Sequence, residues 1–208
     1  ALKQIRDASQ DTEVVLVKMD ITKTNEIADA RKIVESKVGD KGLNLLINNA
    51  GVLILQGFPE ITEENMFFHF STNTVGPVMV LKEMLPLLQK SAARKDSGNN
   101  ICRSAVLNIS SSSGSMSLKI PKDFLLGLGY RTSKVALNMA MKVVALTLNG
   151  QGILVVNMCP GRVKTDMCTD LAQLTLSESI SAMLKTLPQL NESHHGTFLD
   201  RNGKPIPY

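Results

Sequence analysis

The sequence predicts an α/β protein, a doubly wound parallel sheet with helices on both faces. Short apolar runs rich in β-branched residues alternate with longer stretches of helical periodicity, the pattern of strands joined by crossover helices. Those runs are apolar at successive rather than alternate positions, as strands buried on both faces require. With 208 residues and 43% hydrophobic content, the chain suffices for one domain, 1–208, with a sizeable core.

Strands are expected over residues 14–19, 43–47, 105–109 and 153–158, with a weaker one over 197–199. Between the first two, Ile27, Ala30, Val34 and Val38 recur at spacings of three and four, an apolar helix face that Gly39 ends. A long helix is predicted over 66–88 and another over 130–148. Thr175 and Glu178 make a capping box that opens a short helix ahead of Ile180, Met183 and Leu184. The segment KSAARKDSGNN, residues 90–100, is polar and turn-rich, so it is expected as a surface loop before the third strand.

Composition narrows the function. The net charge of +4 is mild and the basic residues are interspersed with acids, which argues against a nucleic-acid partner. Cys102, Cys159 and Cys168 leave one cysteine over under any disulfide scheme, and none has a second Cys or a His at ligand spacing. A reducing, cytoplasmic setting and no metal are the expectation. No apolar run approaches the roughly 18 residues that span a bilayer, so no membrane partner is expected. Aromatic content is 4% without Trp, and the ten Met are read as core packing.

The chemistry centres on VLNISSSSG, residues 106–114, a strand ending in serines, followed by YRTSK, residues 130–134, at the start of a helix. Tyr130 and Lys134, four apart, share a helix face. An ammonium beside a phenol favours the phenolate and draws its pKa toward the working range, while a strand-end hydroxyl holds a carbonyl oxygen beside it. Alone, such a pair is an ordinary exposed spacing. Around it stand Asp20, NNAG at residues 48–51, Asn73 with Gly76, and PGRVKT at residues 160–165, mostly at the carboxyl ends of expected strands, where open α/β sheets bind ligands. His69, His194 and His195 lack a partner in any ordered motif, and no G-x-S-x-G elbow occurs.

In this order the motifs resemble the short-chain dehydrogenase/reductase family from Asp20 to about Asp166, and more loosely to the last residue. YRTSKVALN, CPGRVKTDM and GTFLDRNGKPIPY are similar to its carbonyl reductase, sniffer-like and C-factor-like branch. The resemblance implies a Rossmann-like fold, NADP(H) as cofactor with NAD left open, and a small carbonyl substrate (an aldehyde, ketone or quinone) handled by a monomer or homodimer. It implies that Tyr130 donates the proton, that Lys134 lowers the Tyr130 pKa and binds the nicotinamide ribose, and that Asn73 locally interrupts the long helix, an irregularity that Gly76 and Pro77 close behind it favour, and holds a relaying water. Counted back from Gly114 the substrate-orienting serine is Ser111, with Ser110, Ser112 and Ser113 as turn residues that would replace it were the turn shifted. Asp20, with Ile21 beside it, would face the adenine, or else simply cap the helix that follows. Asn48, Asn49, Ala50 and Gly51 would form the turn under ribose and adenine. Pro160, Gly161, Val163 and Thr165 would close over the nicotinamide, Thr165 bonding its carboxamide or a phosphate. Where the family usually carries Trp, this chain has Arg162, so contacts on the substrate side of that loop are expected to differ.

A nucleotide site of this kind opens with a strand, a Gly-rich turn and a helix, and no such turn precedes Asp20. Residues 14–19 are therefore expected to act as the family's third strand, residues 1–9 as the end of the preceding helix, and a βαβ portion of roughly 30 residues or more to be absent. The alternative function is an inactive fragment or interaction module of the same fold that does not bind nucleotide.

Overall fold

A computed structural model describes residues 2–9, 11–94, 103–122, 125–168 and 172–208. Four strands, β1 (Leu45–Asn48), β2 (Ala105–Ile109), β3 (Leu154–Cys159) and β4 (Phe198–Asp200), lie parallel in the order of the chain. Helices α1 (Leu2–Ala8), α2 (Thr24–Val38), α3 (Glu63–Phe70), α4 (Gly76–Ala92), α5 (Leu128–Thr147) and α6 (Leu176–Thr186) surround them. The Thr175–Glu178 capping box forms as read from the sequence. Of the loop expected over 90–100, the first three residues belong to α4 and those from 95 onward lie outside the described residues.

Side-chain alternation along the strands divides the core in two. Val106 and Val155 point to one face, where Leu81 and Leu88 of α4 and Leu137 and Met141 of α5 cover them. Leu107, Leu154, Val156 and Met158 point to the other, against Met183 of α6 and Leu190. Beyond α4, Ile27 of α2 packs on Val80, Met84 and Leu87, a third apolar layer. Leu88 and Met141 are fully buried, so removing either side chain down to its Cβ would cost about 2–5 kcal/mol. Coverage of the second face fades toward β1, where Ile47 is 48% exposed.

Two expectations need correction. Residues 14–19 run extended but form no strand, because a strand exists only through a ladder and this segment makes no backbone hydrogen bond to β1 or to any other described strand. Val15 and Leu16 stay exposed as a result. The long helix expected over 66–88 is three pieces, with a π turn at Ser71–Val75 between α3 and α4. Pro77 has no amide hydrogen to give to the carbonyl four residues back, and the Gly76 amide reaches instead to Ser71 O, five residues back.

Three asparagines occupy one rung of the sheet. Asn48, Asn108 and Asn157 are in register on β1, β2 and β3. Asn48 Nδ2 donates to Asn108 Oδ1 at 2.8 Å, and Asn108 Nδ2 donates to Asn157 Oδ1 at 3.1 Å. Asn108→Leu would fill similar space and strand a donor on one side and an acceptor on the other. The unfolding free energy from urea titration should fall by about 2–3 kcal/mol; a loss below about 0.5 kcal/mol would show that the chain of amides is dispensable.

Candidate active site

The end of β2 delivers the serines. Ser111 Oγ accepts from Ser113 N at 3.1 Å, capping a short 3₁₀ turn over Ser112–Gly114. That turn is fastened to α5. Ser110 Oγ donates to Asn138 Oδ1 at 2.6 Å, and Asn138 Nδ2 donates to Gly114 O at 3.1 Å. Gly114 is required by this approach, since a Cβ there would lie 2.9 Å from the main-chain carbonyl carbon of Lys134. The serine turn and the first turns of α5 are thus held in one geometry.

On α5, the Lys134 ammonium is buried at 4% exposure of the residue and donates to Ile109 O at 2.8 Å, with Nζ 5.8 Å from the centre of the Tyr130 ring. Burial pulls the ammonium down to about 8, with Cys159 acting weakly in the other direction. Tyr130 keeps part of its surface open to the cleft, while burial of its hydroxyl pushes the phenol up to about 12 against the hydrogen-bonding influence of Ser111. Without a bound ligand, desolvation of the phenolate is the largest influence on Tyr130, and the lowering influence comes from Ser111 rather than from Lys134. At neutral pH Tyr130 carries its proton and Lys134 carries its charge.

The π turn places Asn73, fully buried, against the loop after β1 and against α5. Its Oδ1 accepts from Val52 N at 2.8 Å, and its Nδ2 donates to Val52 O and to Ser133 Oγ, both at 3.0 Å. Ser133 Oγ in turn donates to Tyr130 O at 2.7 Å, and Thr74 Oγ1 donates to Ser133 O at 2.8 Å. Gly51 lies beside this group: a Cβ there would be 3.3 Å from Asn73 Oδ1 and 3.7 Å from Lys134 Nζ. Asn48 is engaged in the amide rung, whereas Asn49 and Ala50 face solvent.

The other expected positions make local contacts. Asp20 Oδ1 accepts from Thr22 N and Oγ1 at 2.9 and 2.7 Å, which lowers its carboxyl pKa; it closes this turn and does not cap α2, whose N-cap residue is Lys23 without a side-chain cap bond. Ile21 packs among the α2 and α4 side chains. Pro160 O accepts from Ser179 Oγ at 2.7 Å, Val163 bridges to Leu174, and Thr165 pairs with Cys168. The structure thus brings Gly51, Asn73, Ser111, Tyr130 and Lys134 into one cluster, with the loop over 160–165 leaving the end of β3.

Sequence reasoning passed over Ser133, and set His69 aside as having no partner in an ordered motif. Ser133 links Asn73 to the Tyr130 main chain, and its place between Tyr130 and Lys134 was the only signal. His69 is fully buried, its Nε2 accepting from Ile54 N at 3.0 Å, so its Nδ1 carries the hydrogen and donates to Asn65 O at 2.8 Å. The neutral ring meets the Tyr130 ring edge-on at 6.4 Å between centroids and backs it from α3. His195 instead ties Val155 N to Ala145 O, away from the serine turn.

A parallel α/β sheet with a strand-end serine set beside a Tyr–Lys helix turn is the architecture of a short-chain dehydrogenase, and the family model described as short chain dehydrogenase matches residues 1–174. The chain belongs to that family and is an oxidoreductase. It is 33% identical over 167 residues to the C-signal protein of Myxococcus xanthus, covering 80% of this chain and 93% of that protein. The carbonyl reductase Sniffer of D. melanogaster superposes with a TM-score of 0.92 at 31% identity, covering 100% of this chain and 82% of that one. The NADPH-bound carbonyl reductase from chicken fatty liver superposes with a TM-score of 0.92 at 33% identity, over 100% of this chain and 78% of that one. Among the described residues no helix is long and apolar enough to cross a membrane and no cluster of ligating side chains could hold a metal.

The buried ammonium makes a checkable prediction. Because the folded-state pKa of Lys134 lies at about 8, below its ordinary value of 10.5, the unfolded chain holds the extra proton between those pH values and stability rises with pH across that window. Lys134→Met should abolish this rise. The difference in unfolding free energy between native protein and variant should grow in favour of the native protein by on the order of 3 kcal/mol from pH 7 to pH 10.5. A difference independent of pH would mean that Lys134 is not desolvated.

Proposed function

We propose that this chain reduces the carbonyl group of aldehydes, ketones or quinones with NADPH, Tyr130 donating the proton. The observation that carries the reading is the state of the Tyr130 and Lys134 pair: a proton-bearing phenol beside a buried cation and a strand-end serine. A carbonyl oxygen placed between Ser111 Oγ and the Tyr130 hydroxyl accepts a hydrogen bond from each, which polarises it. Reduction needs one proton at that oxygen, and Tyr130 supplies it. The phenolate left behind is stabilised by the Lys134 ammonium, which is worth far more in this desolvated setting than in water.

The residues present fit the nicotinamide half of a dinucleotide. Among the described residues the Lys134 ammonium spends one hydrogen on Ile109 O and keeps its others for hydroxyl groups such as those of a ribose. Gly51 leaves open the space beside it that a Cβ would fill. When bound, the nicotinamide supplies the hydride to the carbonyl carbon. Pro160, Gly161, Val163 and Thr165 form the loop that would lie over it, and Asn48, Asn49, Ala50, Asp20 and Ile21 the side toward the adenine. Asn73 holds the Gly51 loop to α5, and the relay expected of it would run from its main chain toward Lys134. NADP(H) is preferred in this reading because the chicken liver relative is NADPH-bound; NAD is the other candidate.

NADPH oxidation followed at 340 nm with a panel of aldehydes, ketones and quinones tests this reading. Tyr130→Phe should lower kcat by about 10²–10⁴-fold while NADPH binding, followed by its fluorescence, stays intact. Equal rates in the two proteins would overturn the role of Tyr130. The reduction rate should also decline as pH rises through about 8, where Lys134 loses its charge.

A further inference from the structure

Beside the serine turn, at the carboxyl ends of β3 and β4, lies a cavity of about 280 Å³ whose walls include Ser112, Cys159, Arg162, Gln173, Asp200 and Arg201. It adjoins the catalytic cluster through Ser112 and Cys159. Ser112 follows Ser111, and its N–H points to Cys159 Sγ at 3.1 Å. Cys159 is also close enough to act electrostatically on both Tyr130 and Lys134. A molecule whose carbonyl oxygen meets Ser111 and Tyr130 would have this cavity beside it, one residue along the serine turn.

The cavity's charge is positive. Two arginines line it and, among the described residues, one acid, Asp200, whose Oδ1 accepts from Asn202 N at 2.8 Å and Lys204 N at 2.9 Å within its own loop. Arg201 is held at its main chain, where Thr186 Oγ1 donates to Arg201 O at 2.8 Å. Its side chain crosses the loop after β3, with Nη1 3.0 Å from where a side chain on Gly161 would begin. Among the described residues that guanidinium makes no hydrogen bond and no ion pair. The acid that senses it, Glu178, is exposed and bound to Thr175 N and Oγ1 at 2.7 and 2.8 Å, within the capping box. A planar fork of donors with no partner, at the wall of a cavity next to the reacting centre, is suited to one chemistry, the bidentate binding of an oxyanion.

We infer that this cavity receives a carboxylate of the substrate, so that carbonyl compounds carrying one are preferred over their neutral counterparts. For the reaction itself this rests on the carbonyl-reductase reading above; the binding of the carboxylate does not. Arg201 supplies the fork, Arg162 adds positive charge, and the reduced carbonyl stays at Tyr130.

Two measurements test the inference with 3- and 4-carboxybenzaldehyde against 3- and 4-methylbenzaldehyde. In steady-state NADPH oxidation, the KM of the better carboxylate should lie at least about tenfold below that of its methyl counterpart, and Arg201→Gln should erase the difference. In calorimetric titration without turnover, the carboxylate should bind the native protein at least about tenfold more tightly than it binds Arg201→Gln, with Arg201→Lys in between. Equal KM values for carboxylate and methyl compounds in the native protein would overturn the inference and leave the reductase reading standing. Should no aldehyde turn over, the reductase reading falls and the titration decides alone: carboxylate binding that depends on Arg201 supports the cavity assignment, and binding that is absent or indifferent to Arg201 overturns it.

Discussion

The site depends on a chain of buried amides that runs across the sheet. Asn48, Asn108 and Asn157 sit on one rung, and Asn157 Nδ2 continues to Asn138 O on α5 at 3.4 Å. From Asn138 the chain reaches Ser110 and Gly114 in the serine turn. Each such bond adds only about 1 kcal/mol net, but a one-residue slip of any strand would bury donors and acceptors with no partner, at about 1–3 kcal/mol each. The penalty for slipping, more than the gain from bonding, fixes register. With register fixed, the loops after β1, β2 and β3 leave the sheet at the same level, which is why Gly51, Ser111 and Pro160 share a rim.

Burial at that rim creates the chemical asymmetry of the Tyr–Lys pair. In water a phenol and an ammonium titrate near the same pH and neither is useful at neutrality. Here burial moves them apart, Tyr130 upward to about 12 and Lys134 downward to about 8. The protein bears the cost in stability, since a charged Lys134 at neutral pH is held in a place that disfavours it. In the proposed reaction, what is gained would be an acid that keeps its proton until the substrate oxygen takes charge, with a cation already in position to receive the phenolate. That both groups stay put follows from contacts made by uncharged neighbours: Ser133 and Thr74 on the main chain of α5, and His69 against the ring of Tyr130.

How much of this was legible in the sequence varies with the range of the interaction that decides it. Strands β1 to β4 and the α6 capping box could be read directly because apolar runs and the Thr175–Glu178 spacing are local signals. Residues 14–19 misled for the same reason: their composition suits a strand, but strand formation is decided by a neighbour, and none pairs with them among the described residues. The π turn was half legible, since Asn73, Gly76 and Pro77 announced irregularity, while its form depended on an amide that Pro77 lacks. The family's motifs located Ser111, Tyr130 and Lys134, yet the pKa of Tyr130 could not be foreseen, because helix spacing shows Lys134 nearby and says nothing of how far the phenol is desolvated. Asp20 shows the same limit, for Asp was read as a cap of the following helix and instead closes a turn on Thr22, with Lys23 at the helix start.

The loop after β3 shows how one segment can serve both sides of the reaction. Pro160 is bound by Ser179, and Arg162 O accepts from both Gln173 N and Leu174 N at 3.0 and 3.1 Å, so the main chain there is pinned on the side of α6. Pinned in this way, the loop carries Gly161 and Arg162 at the wall of the cavity that Arg201 also lines. Gly161 stands at φ +86°, and a side chain there would meet Leu174 Cδ1 at 2.6 Å and the Arg201 guanidinium at 3.0 Å. Glycine at this position lets two arginines from distant parts of the chain flank one cavity without closing it. Under the proposed reaction, the same backbone freedom that allows close approach on one side would leave room for a charged group of the substrate on the other.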